Sequence, residues 1–147
     1  FAQDHVLVAG EAGALPYYSH WVTYDFLGLG TNSLAHARIT VAHLQQIHPD
    51  LLVVMAAAPG PHAIEDRSRP GPLSTNLIFL QYLRQSNQYH YAGASRGRGY
   101  YLAEFLRDDT PRHDEILAAL QQNTQTSAKS HPSLKDLLLQ RYVPWTP

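Results

Sequence analysis

The side chains best suited to bind a ligand are concentrated near the beginning of the chain. Glu11, Tyr17, Tyr18, His20, Trp21, Tyr24 and Asp25 all fall within one short segment. Flat rings stack on the faces of sugars and carboxylates accept hydrogen bonds from hydroxyl groups, so these parts could build a glycan site. The same rings are equally suited to core and edge packing, because aromatic side chains bury a large area.

Glu11 and Asp25 also raise the hypothesis of a sugar-active enzyme. Glycoside hydrolysis uses two carboxylates roughly 5–10 Å apart. The spacing of these two residues along the sequence does not fix their separation in space.

The segment Gly10-Glu11-Ala12-Gly13 follows the first apolar run. Glycines between a strand and a helix can bind phosphate, because exposed N–H groups and the helix dipole attract an anion. The third glycine of the dinucleotide motif is missing, however, and the Glu11 carboxylate would repel a phosphate. A tight turn that needs glycine for backbone room is the alternative.

The nine histidines show no spacing typical of a metal site. His36 and His43 are seven residues apart and His43 and His48 are five apart, and neither HExxH nor His-x-His occurs. The chain has no cysteine, which excludes a Cys-based zinc site and a thiol enzyme. We therefore predict no metal ligand, no cofactor and no catalytic residue within this chain.

The charge balance argues against nucleic acid as a partner. Lys and Arg number 11 and Asp and Glu number 12, for a net charge of -1. Charged residues make up 16% of the chain, below the roughly 25% of a typical soluble protein. Residues 1–64 carry a net charge of -3 and residues 65–147 a net charge of +2.

The elements that must position these residues are predicted from periodicity. Apolar runs predict strands over 4–10, 21–27 and 51–57, and helical spacing predicts helices over 33–48 and 75–87. Strands over 89–95 and 100–106 should form a hairpin, followed by helices over 110–124 and from Ser133. This order predicts one layered α/β (Rossmann-like) domain over 1–147, with a largely parallel sheet, a C-terminal β-hairpin and flanking helices.

Several segments are similar to a known family. They are Gly10-Glu-Ala-Gly-Ala-Leu-Pro-Tyr-Tyr-Ser19, Asp25-Phe-Leu-Gly-Leu29, Leu34-Ala-His36 and His48-Pro-Asp-Leu-Leu-Val-Val54. Together they resemble the soluble extracytoplasmic C-terminal domain of polytopic GT-C glycosyltransferases, especially bacterial arabinofuranosyltransferase-like members. Such domains typically read G-D-A-G-x-x-P-Y-x-S, then D-x-x-G-L-N-D-x-x-I-A, then R-P-D before an apolar strand. Glu11 stands where Asp is usual, and Gly30-Thr31 stands where Asn-Asp is usual.

The resemblance implies a place and a role. Family members transfer a sugar from a polyprenyl-phosphate donor to an extracytoplasmic glycan of the cell wall, using a carboxylate near membrane helices that this chain lacks. It therefore implies a non-catalytic lid, scaffold or acceptor-binding element on the periplasmic or cell-surface side, with the membrane-embedded part of the same polypeptide as partner. The binding positions would be Glu11, Tyr17, Tyr18 and Asp25, with His20 of the same cluster, and the turn positions would be Gly10, Gly13 and Gly28.

The ends and the hydropathy of the chain fit this expectation. The chain begins with Phe1 and its only methionine is Met55, which indicates a piece of a longer protein. Its longest strictly apolar run covers only residues 51–58, whereas a bilayer span needs roughly 18–20 residues. We expect a soluble domain of a larger membrane protein. A free-standing nucleotide- or phosphate-binding α/β module is the alternative.

Overall fold

The computed structural model describes residues 5–10, 19–26, 38–62, 64, 75–96 and 99–129. Within these residues the strands are β1 (Val6–Ala9), β2 (Val22–Asp25), β3 (Leu51–Ala56), β4 (Tyr89–Arg96) and β5 (Tyr101–Arg107). The helices are α1 (Val41–Ile47), α2 (Asn76–Ser86) and α3 (His113–Lys129). The final helix predicted from Ser133, and most of the loop before α2, lie outside the described residues.

The strands form one mixed sheet in the order β2-β1-β3-β5-β4. β1 pairs in parallel with β2 through four residue pairs and with β3 through three. β5 pairs antiparallel with β3 through six residue pairs and with β4 through seven. Most of the paired residues therefore belong to the antiparallel half of the sheet.

The prediction of a largely parallel, Rossmann-like sheet is wrong. Alternating strands and helices predict parallel neighbours, and β1 does pair in this way with β2 and β3. However, α2 leads from β3 to β4, and these two strands are not neighbours. The β4–β5 hairpin, which was predicted, returns β5 into the gap between them. Because β5 is antiparallel to both of its neighbours, the sheet is mixed and mostly antiparallel.

Helices cover both faces of the sheet. On one face, α1 and α2 supply Leu44, Phe79 and Tyr82 to a core with alternate residues of the strands, such as Val8 and Leu52. On the other face, Ile116 of α3 packs with the intervening residues, which are Leu7, Ala9, Leu51, Val53, Ala92 and Leu106. A strand that is buried on both faces needs apolar side chains at every position, which explains the unbroken apolar run of β3.

Helix α1 begins later than the predicted start at residue 33. Thr40 is its N-cap, with extended backbone and an Oγ1 that accepts a hydrogen bond from His43 N over 3.2 Å. The His43 ring completes a capping box, since its Nδ1 accepts from Thr40 N over 3.2 Å. The predicted end is confirmed: His48 adopts a left-handed conformation and Pro49 follows. Residues 33–37 lie outside the described part of the chain.

Among the described residues, none of the helices combines the length and the apolar character that crossing a bilayer requires.

Candidate functional site

Three of the segments that carry the family resemblance meet on adjacent strands. Ala9, at the end of β1, pairs with Asp25 at the end of β2 on one side and with Val53 of β3 on the other. The ladder continues past the strands, because Phe26 N donates to Ala9 O over 3.1 Å. Gly10, Asp25 and Val54 of these segments therefore lie toward one edge of the sheet, the carboxyl edge of the parallel strands.

The connections between strands reverse direction at this edge. From β1 the chain goes to β2 on one side, whereas from β3 it goes on to the β5 and β4 side. Open sheets bind ligands where successive connections leave in opposite directions, because a gap forms outside the carboxyl ends of the two strands. The candidate site is therefore the crevice that this strand order predicts at the carboxyl ends of β1 and β3.

Gly10 immediately follows β1 and is fixed by an aromatic contact. A Cβ at this position would lie 2.7 and 2.8 Å from Cε1 and Cε2 of Phe26, and closer still to Cζ. The Phe26 ring in turn packs edge-on against Phe79, with ring centroids 4.7 Å apart. Glycine at position 10 is therefore required by the close approach of an aromatic ring to the backbone.

The predicted binding residues that are described lie at opposite ends of β2. His20 precedes β2, is exposed and has a positive φ of 57°. Asp25 closes β2 and is only 3% exposed. Three strand steps of about 3.3 Å separate Val22 from Asp25, so the strand holds the two side chains apart by about 10 Å or more. Glu11, Tyr17, Tyr18, Gly13 and Gly28 lie outside the described residues and stay predictions.

A second buried carboxylate lies in the same row of the sheet as Asp25. Register places Asp25, Ala9, Val53 and Glu104 side by side on β2, β1, β3 and β5, on the face covered by α3. Three strand spacings of about 4.8 Å separate the first from the last, or about 14 Å. That distance exceeds the roughly 5–10 Å used by carboxylate pairs in glycoside hydrolysis. These two groups cannot act as such a pair.

Glu104 is held in a small polar cluster beneath α3. Its Oε1 accepts a hydrogen bond from Ser95 Oγ over 2.8 Å, and Ser95 Oγ accepts one from Asn123 Nδ2 over 3.1 Å. Its Oε2 is buried and has no hydrogen-bond partner among the described residues. Burial raises the pKa of Glu104 to about 6, against the smaller opposing effect of the Ser95 hydrogen bond. The carboxyl group therefore keeps its proton to a higher pH than an exposed glutamate does.

Gly93 lets α3 approach this cluster closely. It lies at an irregularity of the β4–β5 ladder, and a Cβ there would overlap Thr124 Oγ1 and lie 3.3 Å from Glu104 Oε2. Thr124 Oγ1 accepts a hydrogen bond from Ala94 N over 3.2 Å, which attaches α3 to β4. Sequence reasoning missed Glu104, although one acidic residue inside an apolar strand was a visible signal.

The segment His48-Pro49-Asp50 lies at the opposite, amino edge of the parallel strands. Arg107 donates from Nη1 to the carbonyl oxygens of His48 and Pro49, over 2.6 and 3.2 Å, and from Nη2 to Asp50 Oδ1. The Tyr89 hydroxyl also donates to the Pro49 carbonyl oxygen, over 2.5 Å. This segment of the resemblance is therefore a structural junction, remote from the crevice.

Comparison with known proteins gives one match. No curated protein and no solved structure matches the chain. A family model described as a domain of unknown function matches residues 1–109, a range that contains all five described strands together with α1 and α2. This covers well over half of the sequence, and the chain belongs to that family, DUF8728.

Proposed function

We propose that this chain is an extracytoplasmic, non-catalytic domain of a membrane glycosyltransferase that uses a polyprenyl-phosphate sugar donor. In that enzyme it binds the acceptor glycan, or serves as a lid or scaffold for the membrane-embedded part. The observation that carries the proposal is the pairing of Ala9 with both Asp25 and Val53. Asp25 and Val53, from two segments that resemble the glycosyltransferase domain, thereby lie on either side of the residue that precedes the segment Gly10–Ser19.

Acceptor binding is the role that the crevice supports best. Glu11, Tyr17 and Tyr18 follow the end of β1 by two, eight and nine positions in the chain. Aromatic rings and a carboxylate are suited to the faces and hydroxyl groups of a sugar.

The alternative, a free-standing nucleotide- or phosphate-binding module, has weaker support. A glycine after the first strand serves phosphate binding when it lets the backbone approach the phosphate. At Gly10 the open side of the backbone is occupied by the Phe26 ring. The glycine at this position therefore has a structural explanation that involves no phosphate.

The gene that encodes the chain provides the first test. We expect several membrane-spanning helices in the same reading frame, because the donor is a lipid. A reading frame without such helices would contradict the proposal.

The acceptor role is tested by NMR titration of the isotope-labelled chain. Short arabinofuranose oligosaccharides should shift the amide signals of Gly10 and Phe26 in a saturable way, while the signal of Thr40 in α1 stays unchanged. The Tyr17→Ala and Tyr18→Ala variants should weaken this binding, and Tyr100→Ala, on the hairpin, is the matched control. Shifts with nucleotides in place of glycans would favour the alternative module.

A further inference from the structure

Two histidines and an aspartate converge where β4 begins, β5 ends and α3 begins. His90, Asp108 and His113 each offer one ligand atom, and these three atoms lie within 4.8 Å of one another. Backbone bonds fix the three positions: His90 pairs with Leu106 across the β4–β5 ladder, Asp108 N donates to Gln88 O over 2.8 Å, and His113 N donates to Thr110 O over 3.1 Å. The residues are 18 and five positions apart in the chain, so no local motif signals the cluster.

The surroundings of His113 leave one ring nitrogen ready to accept a ligand bond. Its Nδ1 lies 3.0 Å from Asp114 Oδ1. A carboxylate beside Nδ1 keeps the proton on that nitrogen and leaves the lone pair on Nε2, the arrangement common in histidines that bind metals. His113 Nε2 is buried and has no hydrogen-bond partner among the described residues.

His90 and Asp108 form the other half of the cluster. His90 Nδ1 lies 2.7 Å from Asp108 Oδ1, and the rings of His90 and His113 have centroids 4.9 Å apart. A metal ion can take the place of the proton that this histidine and carboxylate share. The side chains of His90 and Asp108 are 37% and 60% exposed, so both have room to rotate toward an ion.

We propose that His90, Asp108 and His113 bind a divalent transition-metal ion of the zinc type. Two imidazole nitrogens and one carboxylate oxygen are a ligand set that zinc accepts, at about 2.0–2.2 Å from each atom. Tetrahedral ligand atoms at these bond lengths lie about 3.4 Å apart, so a pair at the 4.8 Å limit would approach by roughly 1–1.5 Å. Two cations adjoin the cluster in sequence, and both are paired with carboxylates, which reduces their repulsion of an ion. Arg112 donates two hydrogen bonds to Glu115, and Arg107 donates to Asp50 and Asp109. The prediction of no metal ligand is replaced by this proposal, which does not depend on the proposed function.

The test uses the metal-free chain and Co²⁺ as a spectroscopic probe. We expect one equivalent of Co²⁺ to give the intense visible absorption of a four-coordinate site, and Zn²⁺ to displace it. Asp108→Asn and His113→Gln should each weaken binding by about tenfold or more, and Asp114→Asn should weaken it by about 10–100-fold through loss of the carboxylate on Nδ1. Because Asp108 is largely exposed, Asp108→Asn is expected to fold.

The exposed His62 provides the control, since His62→Gln removes a histidine elsewhere on the surface. The Co²⁺ affinity and spectrum of the His62→Gln variant should equal those of the original chain. Unchanged affinity in Asp108→Asn and His113→Gln, or a Co²⁺ spectrum of octahedral type, would overturn the proposal.

Discussion

Arg107 donates from Nη2 to Asp50 Oδ1 over 2.8 Å, and this ion pair joins the last residue of β5 to the residue that precedes β3. Both side chains are buried, at 10% and 5% exposure. Asp50 Oδ2 also accepts a hydrogen bond from Val6 N over 2.7 Å, so the same carboxylate reaches β1. One buried pair therefore connects three strands at the amino edge of the sheet.

Replacing Arg107 by methionine should destabilise the fold strongly. The Asp50 carboxylate would stay buried without its counter-charge, which typically costs about 3–5 kcal/mol of unfolding free energy. Urea denaturation, monitored by circular dichroism, measures the loss of unfolding free energy. The Asp109→Asn variant is the control, because it removes only the exposed carboxylate that accepts from Arg107 Nε. Adding Asp50→Asn to Arg107→Met should recover part of the loss, and a double variant that is no more stable than Arg107→Met would contradict the ion-pair explanation.

Alanine at position 10 should destabilise the fold through its contact with Phe26. The added Cβ would overlap the ring, and overpacking of this kind costs about 1–3 kcal/mol. In a Phe26→Leu background the same change should cost much less, because the smaller side chain leaves room. A double-mutant cycle of unfolding free energies measures the coupling. Equal costs in the two backgrounds would show that the Phe26 contact is not the cause.

Glu104 should make the stability depend on pH. An unfolded glutamate has a pKa near 4.5, and the folded pKa of about 6 means that the folded state keeps its proton longer. The unfolding free energy should therefore fall by about 2 kcal/mol as the pH rises from about 4.5 to about 6, and this contribution should be constant above that range. Denaturation curves at several pH values measure it.

The variants Glu104→Gln and Ser95→Ala test whether Glu104 causes the pH dependence of stability. Glu104→Gln should remove the pH-dependent contribution. Ser95→Ala should shift it to higher pH, because Ser95 donates the hydrogen bond that favours the ionised carboxylate. An unchanged pH profile in Glu104→Gln would assign the dependence to other groups.

The N-cap of α1 should contribute measurably to stability. Thr40→Ala removes the oxygen that accepts from His43 N and should cost about 0.5–2 kcal/mol. Thr40→Ser keeps that oxygen and should be close to the original chain. Thermal unfolding measures the stability of the two variants. If Thr40→Ala were as stable as Thr40→Ser, solvent would replace the capping hydrogen bond without loss of stability.

The sequence predicted the local elements better than their arrangement. The strand Leu51–Ala56 and the hairpin strands Tyr89–Arg96 and Tyr101–Arg107 follow from apolar runs and turn residues, which act over a few positions. The insertion of β5 between β3 and β4 depends on pairing between Leu51 and Leu106, which no local pattern encodes. The last five residues of β5 are buried, as expected of an inner strand, whereas the edge strand β4 ends at the exposed Arg96.

For the candidate site too, the sequence predicted local features but not the contacts that depend on the fold. Gly10 was predicted as a turn residue, but its contact with Phe26 requires two strands to pair first. His20 and Asp25 are close in sequence, yet an extended strand separates them. The cluster of His90, Asp108 and His113 forms only when the hairpin and α3 come together, so single-chain spacing could not reveal it.

The position of β1 between β2 and β3 has a kinetic consequence. The β4–β5 hairpin closes short loops, whereas Leu7 of β1 must find Leu51 of β3 across 44 residues. Short loops close at a lower entropic cost, so we expect the β4–β5 hairpin to nucleate folding and the pairing of β1 with β3 to follow the rate-limiting step. Destabilising substitutions in β5 should then slow folding, whereas those in β1 should mainly accelerate unfolding.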